Sequence, residues 1–60
     1  MMARLVDIEC IVKHKTDRAV LIDDGDTEAW LPLAHAEVET RGRHALVTIP
    51  EWLAQEKGLI

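Results

Sequence analysis

One stretch constrains this chain more than any other: Asp17 to Pro32, DRAVLIDDGDTEAWLP, two apolar runs separated by a tight acidic turn. Ala19-Val20-Leu21-Ile22 is aliphatic and rich in β-branched residues. Thr27-Glu28-Ala29-Trp30-Leu31 alternates with period two, as a strand with one solvated face requires. Between them lies Asp23-Asp24-Gly25-Asp26, in which Gly25 supplies the positive φ of a reverse turn and aspartate bonds its own backbone. The stretch therefore predicts a β-hairpin, but in one of two registers. A loop of Asp24 and Gly25 pairs Val20 with Ala29, whereas a loop one residue longer that ends at Gly25 pairs Val20 with Glu28. A slip by one exchanges the faces, so the side of the sheet that carries Trp30 is open at this level.

The flanking segments supply material to cover this hairpin. In Leu5 to Val12 the residues Val6, Ile8, Cys10 and Val12 share one face and Leu5, Asp7, Glu9 and Ile11 the other, which is the pattern of a half-buried strand. Polar Lys13 to Asp17 breaks the alternation and leads into the hairpin. Pro32 ends the third strand, since it has no ladder donor to give. Leu33 to Ala36 then fits a single 3-10 turn, and Ala36 to Thr40 a thin edge strand. A turn about Gly42 leads to a fifth strand, Ala45 to Ile49. Pro50 suits the first position of a helix, with Glu51 at the positive end of its dipole. Trp52 to Lys57 continues the helix, Gly58 is its C′ residue, and Leu59 folds back on Leu53 or Ala54. Two helical turns do not stand alone, so Trp52, Leu53 and Leu59 are expected to pack on the sheet. The expectation for residues 1–60 is one mainly β domain: a strongly curved antiparallel sheet of about five strands, an SH3-like barrel, with a 3-10 turn and a C-terminal helix over 50–58.

A chain of 60 residues buries only about 60% of its unfolded surface, so its stability margin is thin. The lone cysteine, Cys10, excludes an internal disulfide framework and suits a reducing compartment. There is no apolar stretch of roughly 18 residues and no signal-like start, so the expected location is the cytoplasm, with no membrane partner. The formal charge of −4 opposes binding to a phosphate backbone. Lys13-His14-Lys15 and Arg41-Gly42-Arg43-His44 are the two basic clusters that could adjoin and reverse that expectation.

No catalytic constellation stands out. Asp23, Asp24 and Asp26 are too few and too closely spaced for a calcium loop, which wants six to eight oxygens, and read instead as turn chemistry. Cys10 lies on an apolar strand face, where a buried thiol is structural rather than a nucleophile paired with His14 or His35. The three histidines lack zinc spacing. No metal and no cofactor are expected. Trp30 and Trp52 are the only aromatic residues besides histidine; the bland reading places both in the core, the functional one makes whichever is exposed an anchor for a partner. Candidate partner-binding residues are Trp30, His35, Arg41, Arg43 and His44.

The combination Trp30-Leu31-Pro32, Val38-Glu39, Ile49-Pro50-Glu51-Trp52-Leu53-Ala54 and Glu56-Lys57-Gly58-Leu59 resembles a family of small phage and prophage proteins with a WLP and an IPEWLAxEKGL-type signature. Members commonly carry a Lys-Ser-Gln type segment where this chain has Leu33-Ala34-His35. That resemblance implies a phage accessory protein with no assigned activity, working inside a bacterial host. A shorter segment, Val47-Thr48-Ile49-Pro50 with Trp52-Leu53 and Gly58-Leu59, is similar to the VTIP strand and helix of the AbrB and MazE proteins, which bind DNA as dimers. The leading expectation is a non-catalytic protein that binds a protein partner, such as a host defence or recombination factor. The alternative is a small nucleic-acid-binding or antitoxin-type regulator. A homodimer is also expected, paired through Ala36 to Thr40 or Leu5 to Val12, or through Trp30 across a twofold axis.

Overall fold

The computed structural model describes residues 4–60 and contains one five-stranded antiparallel sheet with strand order β3-β2-β1-β5-β4. The elements are β1 (Leu5–Lys15), β2 (Ala19–Asp23), β3 (Glu28–Pro32), a 3-10 turn (Leu33–His35), β4 (Glu37–Arg41), β5 (His44–Pro50) and helix α1 (Glu51–Glu56). The mainly β class, the 3-10 turn and the short terminal helix are as the sequence predicts. The sheet is open, however: β3 and β4 are its two edges, joined in sequence by the 3-10 turn and not hydrogen-bonded to each other, so no closed barrel forms.

β1 is the organising strand. Its first half pairs with β5, from Leu5 opposite Pro50 to Cys10 opposite Ala45, and its second half pairs with β2, from Ile11 opposite Asp23 to Lys15 opposite Val20. A register shift between Val12 and His14 lets the strand run past the polar residues that were expected to end it, because the bulge absorbs Lys13 and lets pairing resume. Each half of β1 is thus paired along one side, Leu5 to Cys10 with β5 and Ile11 to Lys15 with β2. The inward residues of both halves meet in one core: Ile8, Cys10, Val20, Ile22, Ala29, Leu31, Ala45, Val47 and Ile49, covered by Leu53, Ala54 and Leu59.

The central hairpin takes neither predicted register. Val20 faces Leu31 and Asp23 faces Glu28, leaving Asp24 to Thr27 as the loop. The reason lies in the two carboxylates at its start. The Gly25 amide donates to Asp23 Oδ1 at 2.8 Å, and the Asp26 and Thr27 amides donate to Asp24 Oδ1 at 2.9 and 2.8 Å. Side chains thereby satisfy donors that a shorter loop would have left to the ladder. The same bonds hold the Asp24 carboxyl below its ordinary range, those from Asp26 and Thr27 foremost. Gly25 has φ +104° with open space where a Cβ would go, so a substitution there meets strain and no clash. Gly25→Val is expected to cost about 1–3 kcal/mol and to lower the melting temperature by roughly 5 °C or more. A shift of a degree or two would place the strained position elsewhere.

At the chain's end, Pro50 stays in the sheet opposite Leu5 with ψ 144°, so it precedes the helix and Glu51 is the first helical residue, one position later than expected. The Glu51 amide donates to the Arg4 carbonyl at 2.6 Å, tying the helix start to the start of β1. The C-terminal end forms as expected: the Gly58 amide donates to the Gln55 carbonyl and the Leu59 amide to the Ala54 carbonyl, with Gly58 at φ +73°. Leu59 is buried with Leu53 and Ala54.

The core expectation for the two tryptophans fails. Trp30 is 43% exposed and Trp52 47% exposed. Ala29 and Leu31 take the inward positions of β3, so parity turns Trp30 outward beside Leu21. On the helix, Leu53 and Ala54 face the sheet and Trp52 lies on the solvent side.

Candidate functional site

Alternation along β1, β5 and β4 sets the chemistry of the outer face. Leu46 and Thr48 on β5 point outward, flanked by Asp7 and Glu9 on β1 and by Glu37 and Glu39 on β4. Asp7 accepts a 2.6 Å hydrogen bond from the Thr48 hydroxyl, and Glu39 accepts two from the Arg41 guanidinium, at 3.0 and 3.3 Å. Arg41 is therefore engaged by a carboxylate on its own strand.

Where this face meets the 3-10 turn, it becomes apolar. An open groove of about 460 Å³ runs between the turn and the paired ends of β1 and β5, lined by Leu5, Leu33, Ala34, His35, Ala36 and Pro50, with Glu37 and Thr48 at one side. Leu5 is 63% exposed despite its aliphatic side chain. His35 stands edge-on to Trp52, with ring centroids 5.6 Å apart and planes at 75°. The turn is positioned from behind by the Leu33 amide, which donates to the Arg18 carbonyl at 2.8 Å. Arg4 and Glu51 sit nearby as a loose, exposed ion pair at 3.9 Å.

The five residues nominated from sequence fall in three places. His35 belongs to the groove. Trp30 lies on the outer face of the β1–β2–β3 half, edge-on to His14 with ring centroids 6.0 Å apart. Arg41, Arg43 and His44 are exposed around the β4–β5 turn. His44 also borders a shallower depression of about 380 Å³ with Glu9, Cys10, Ile11, Asp24 and Gly25.

Comparison with family models, with curated proteins and with solved structures found no match.

The groove residues Leu5, Leu33 and Pro50 were not singled out from sequence, although one signal was there: Leu5 is an aliphatic residue on the strand face that also carries Asp7 and Glu9. Cys10 is buried among the core residues, and burial, with the Asp24 charge second, pushes its thiol above the ordinary range. It is a protonated core residue at neutral pH, facing away from the outward His14. Among the described residues no group of three or more histidine, cysteine or acidic side chains is placed to hold a metal ion, and no helix is long and apolar enough to cross a membrane.

Proposed function

We propose that this chain is a non-catalytic accessory protein of phage or prophage type that acts by binding a partner protein through the groove beside His35. The observation that carries this reading is the groove itself: an apolar floor of exposed Leu5 with the half-buried Leu33 and Pro50, His35 on its wall backed edge-on by Trp52, and the Glu37 carboxylate at its side. Such a surface suits an apolar segment of a partner flanked by lysine or arginine, because burial supplies affinity while opposite charges steer and orient the encounter. The phage-type signature makes a bacterial defence or recombination factor the expected class of partner. The outward row of Asp7, Glu9, Glu37 and Glu39, with Arg41 already held by Glu39, favours this reading over a nucleic-acid or antitoxin-type regulator, since a phosphate backbone would be repelled.

The test is affinity capture from a bacterial host with mass spectrometry, using wild-type protein beside Leu5→Glu, Trp52→Ala and, as an outer-face control, Trp30→Ala. All three positions are exposed, so the fold should survive each change. A partner retained by wild type and by Trp30→Ala, but depleted roughly 30-fold or more by Leu5→Glu and Trp52→Ala, is the expected result, the loss being typical of an anchor residue worth about 2 kcal/mol. Equal retention by all four proteins would remove the groove from consideration.

A further inference from the structure

We infer that the free edge of β4 is a self-complementary surface whose occupant is a second copy of this chain, paired antiparallel so that the sheet continues across a twofold axis. This goes beyond the groove reading and does not depend on it. β4 ends the strand order, with β5 on one side and, among the described residues, no strand on the other. Gly42, at φ +61°, and Arg43 form a two-residue loop that closes on the Arg41–His44 pair. Hydrogen bonding alternates from that pair, so Glu37, Glu39 and Arg41 turn their backbone groups to β5. Val38 and Thr40 turn theirs to the open side, and no proline in the strand withholds a donor there.

Charge selects both the occupant and the register. Parity puts Glu37, Glu39 and Arg41 on the outer face, opposite Thr48, Leu46 and His44, while Val38 and Thr40 share the face of the buried Val47 and Ala45. Two copies of β4 whose faces stay aligned must have the twofold axis on a residue. An axis on Glu37, Val38 or Glu39 sets carboxylate against carboxylate, and one on Arg41 sets two guanidiniums together. An axis on Thr40 sets Glu39 opposite the second copy's Arg41 and Arg41 opposite its Glu39, so that every charge on the contact meets its opposite. Thr40 then faces its mate as a hydrogen-bonded pair, each amide donating to the other carbonyl, and Arg43 comes to the level of the second copy's Glu37. Glu39 and Arg41 are already 3.0 Å apart within one strand, so the contact joins two preformed pairs into a ring of four charges. The other free edges carry no such match. Pro32 withholds a donor from β3, and the side of Leu5 to Cys10 away from β5 offers Asp7 and Glu9 with no cation. Five residues span only about 17 Å, and the contact is smaller than the roughly 800 Å² per partner of a standard interface, so the dimer is a weak and reversible one.

Charge exchange tests this directly. An acid-edged variant, Arg41→Glu with Arg43→Glu, and a base-edged variant, Glu37→Lys with Glu39→Lys, change only exposed side chains, so the fold should survive both. Sedimentation equilibrium over roughly 10 µM to 1 mM should show wild type shifting from monomer to dimer with concentration. Each double variant alone should remain monomeric, and an equimolar mixture of the two should regain a one-to-one complex. Amide hydrogen exchange followed by NMR then reads the edge itself. The Thr40 amide should slow by roughly threefold or more as wild type is concentrated over that range, while the Glu39 amide, bonded to β5 in monomer and dimer alike, should not change. Monomeric wild type throughout, a dimer that persists in both double variants, a mixture that stays monomeric, or a dimer whose Thr40 amide exchanges as fast as the monomer's would each overturn the inference.

Discussion

Removal of residues 51–60 is expected to abolish cooperative unfolding. The helix and its C-terminal turn place Leu53, Ala54 and Leu59 over the inner face of the sheet, all three buried, and beneath them lie Val47 and Ile49 with no exposure at all. Burying a leucine contributes about 1.5–3 kcal/mol, so the two leucines alone supply several. The whole molecule has roughly 3–9 kcal/mol available, at 0.05–0.15 kcal/mol per residue for a domain of this size. The truncated chain also loses the bond from the Glu51 amide to the Arg4 carbonyl, which ties down the residue just before β1. The sheet is open, so no other element can move over the exposed inner face. Circular dichroism should show weakened, broad thermal behaviour, and a dye that binds exposed apolar surface should fluoresce with the truncated form and not with the full chain. A sharp transition within a few degrees of the full-length protein would make the helix an appendage and the sheet self-sufficient.

Much of this architecture is legible in the residues because the signals are local. Alternation in LVDIECIV assigns Ile8 and Cys10 inward without reference to any other strand. Gly58 followed by Leu59 announces a helix end whose hydrogen bonds then form as that pattern requires. What was not legible depends on competition between groups. Whether Asp23 and Asp24 would bond their own loop or leave those amides to the ladder decides the register, and composition does not rank the two. The register that results keeps the parity of the shorter predicted loop, so the inward set Val20, Ile22, Ala29 and Leu31 is that of one of the two alternatives.

The tryptophans show the same limit. Their size argues for burial, but each sits at a position whose backbone neighbours, Ala29 and Leu31 in β3 or Leu53 and Ala54 in α1, have already claimed the inward direction. In a core this small, geometry outranks volume. The groove escaped notice for a different reason: its lining comes from the start of β1, the 3-10 turn and the end of β5, segments remote in sequence that only the sheet order brings together. Its one foretold member, His35, was picked out without knowledge of its company.

The packing that makes the outer surfaces available also makes the inner one unforgiving, and Ile22→Ala is the substitution that measures it. Ile22 is fully buried at the centre of the β1–β2–β3 half, opposite Val12 on one side and Ala29 on the other. Both neighbours are short or stiff, so neither can rotate to fill the volume that the three lost carbons leave. The cost should therefore lie toward the upper part of the roughly 2–5 kcal/mol seen for such truncations, transfer and cavity contributions together. Against a total of roughly 3–9 kcal/mol, that removes a large share of the stability and lowers the urea midpoint steeply. Ile11→Ala provides the internal comparison: the same chemistry on the adjacent strand, but at an exposed outward position, where about 0.5 kcal/mol or less is expected. Urea titration of both variants, followed by circular dichroism and compared at matched m-values, gives the two costs. If Ile22→Ala loses less than about 1 kcal/mol, or no more than Ile11→Ala, the inward set has been assigned to the wrong face and the register of the central hairpin falls with it.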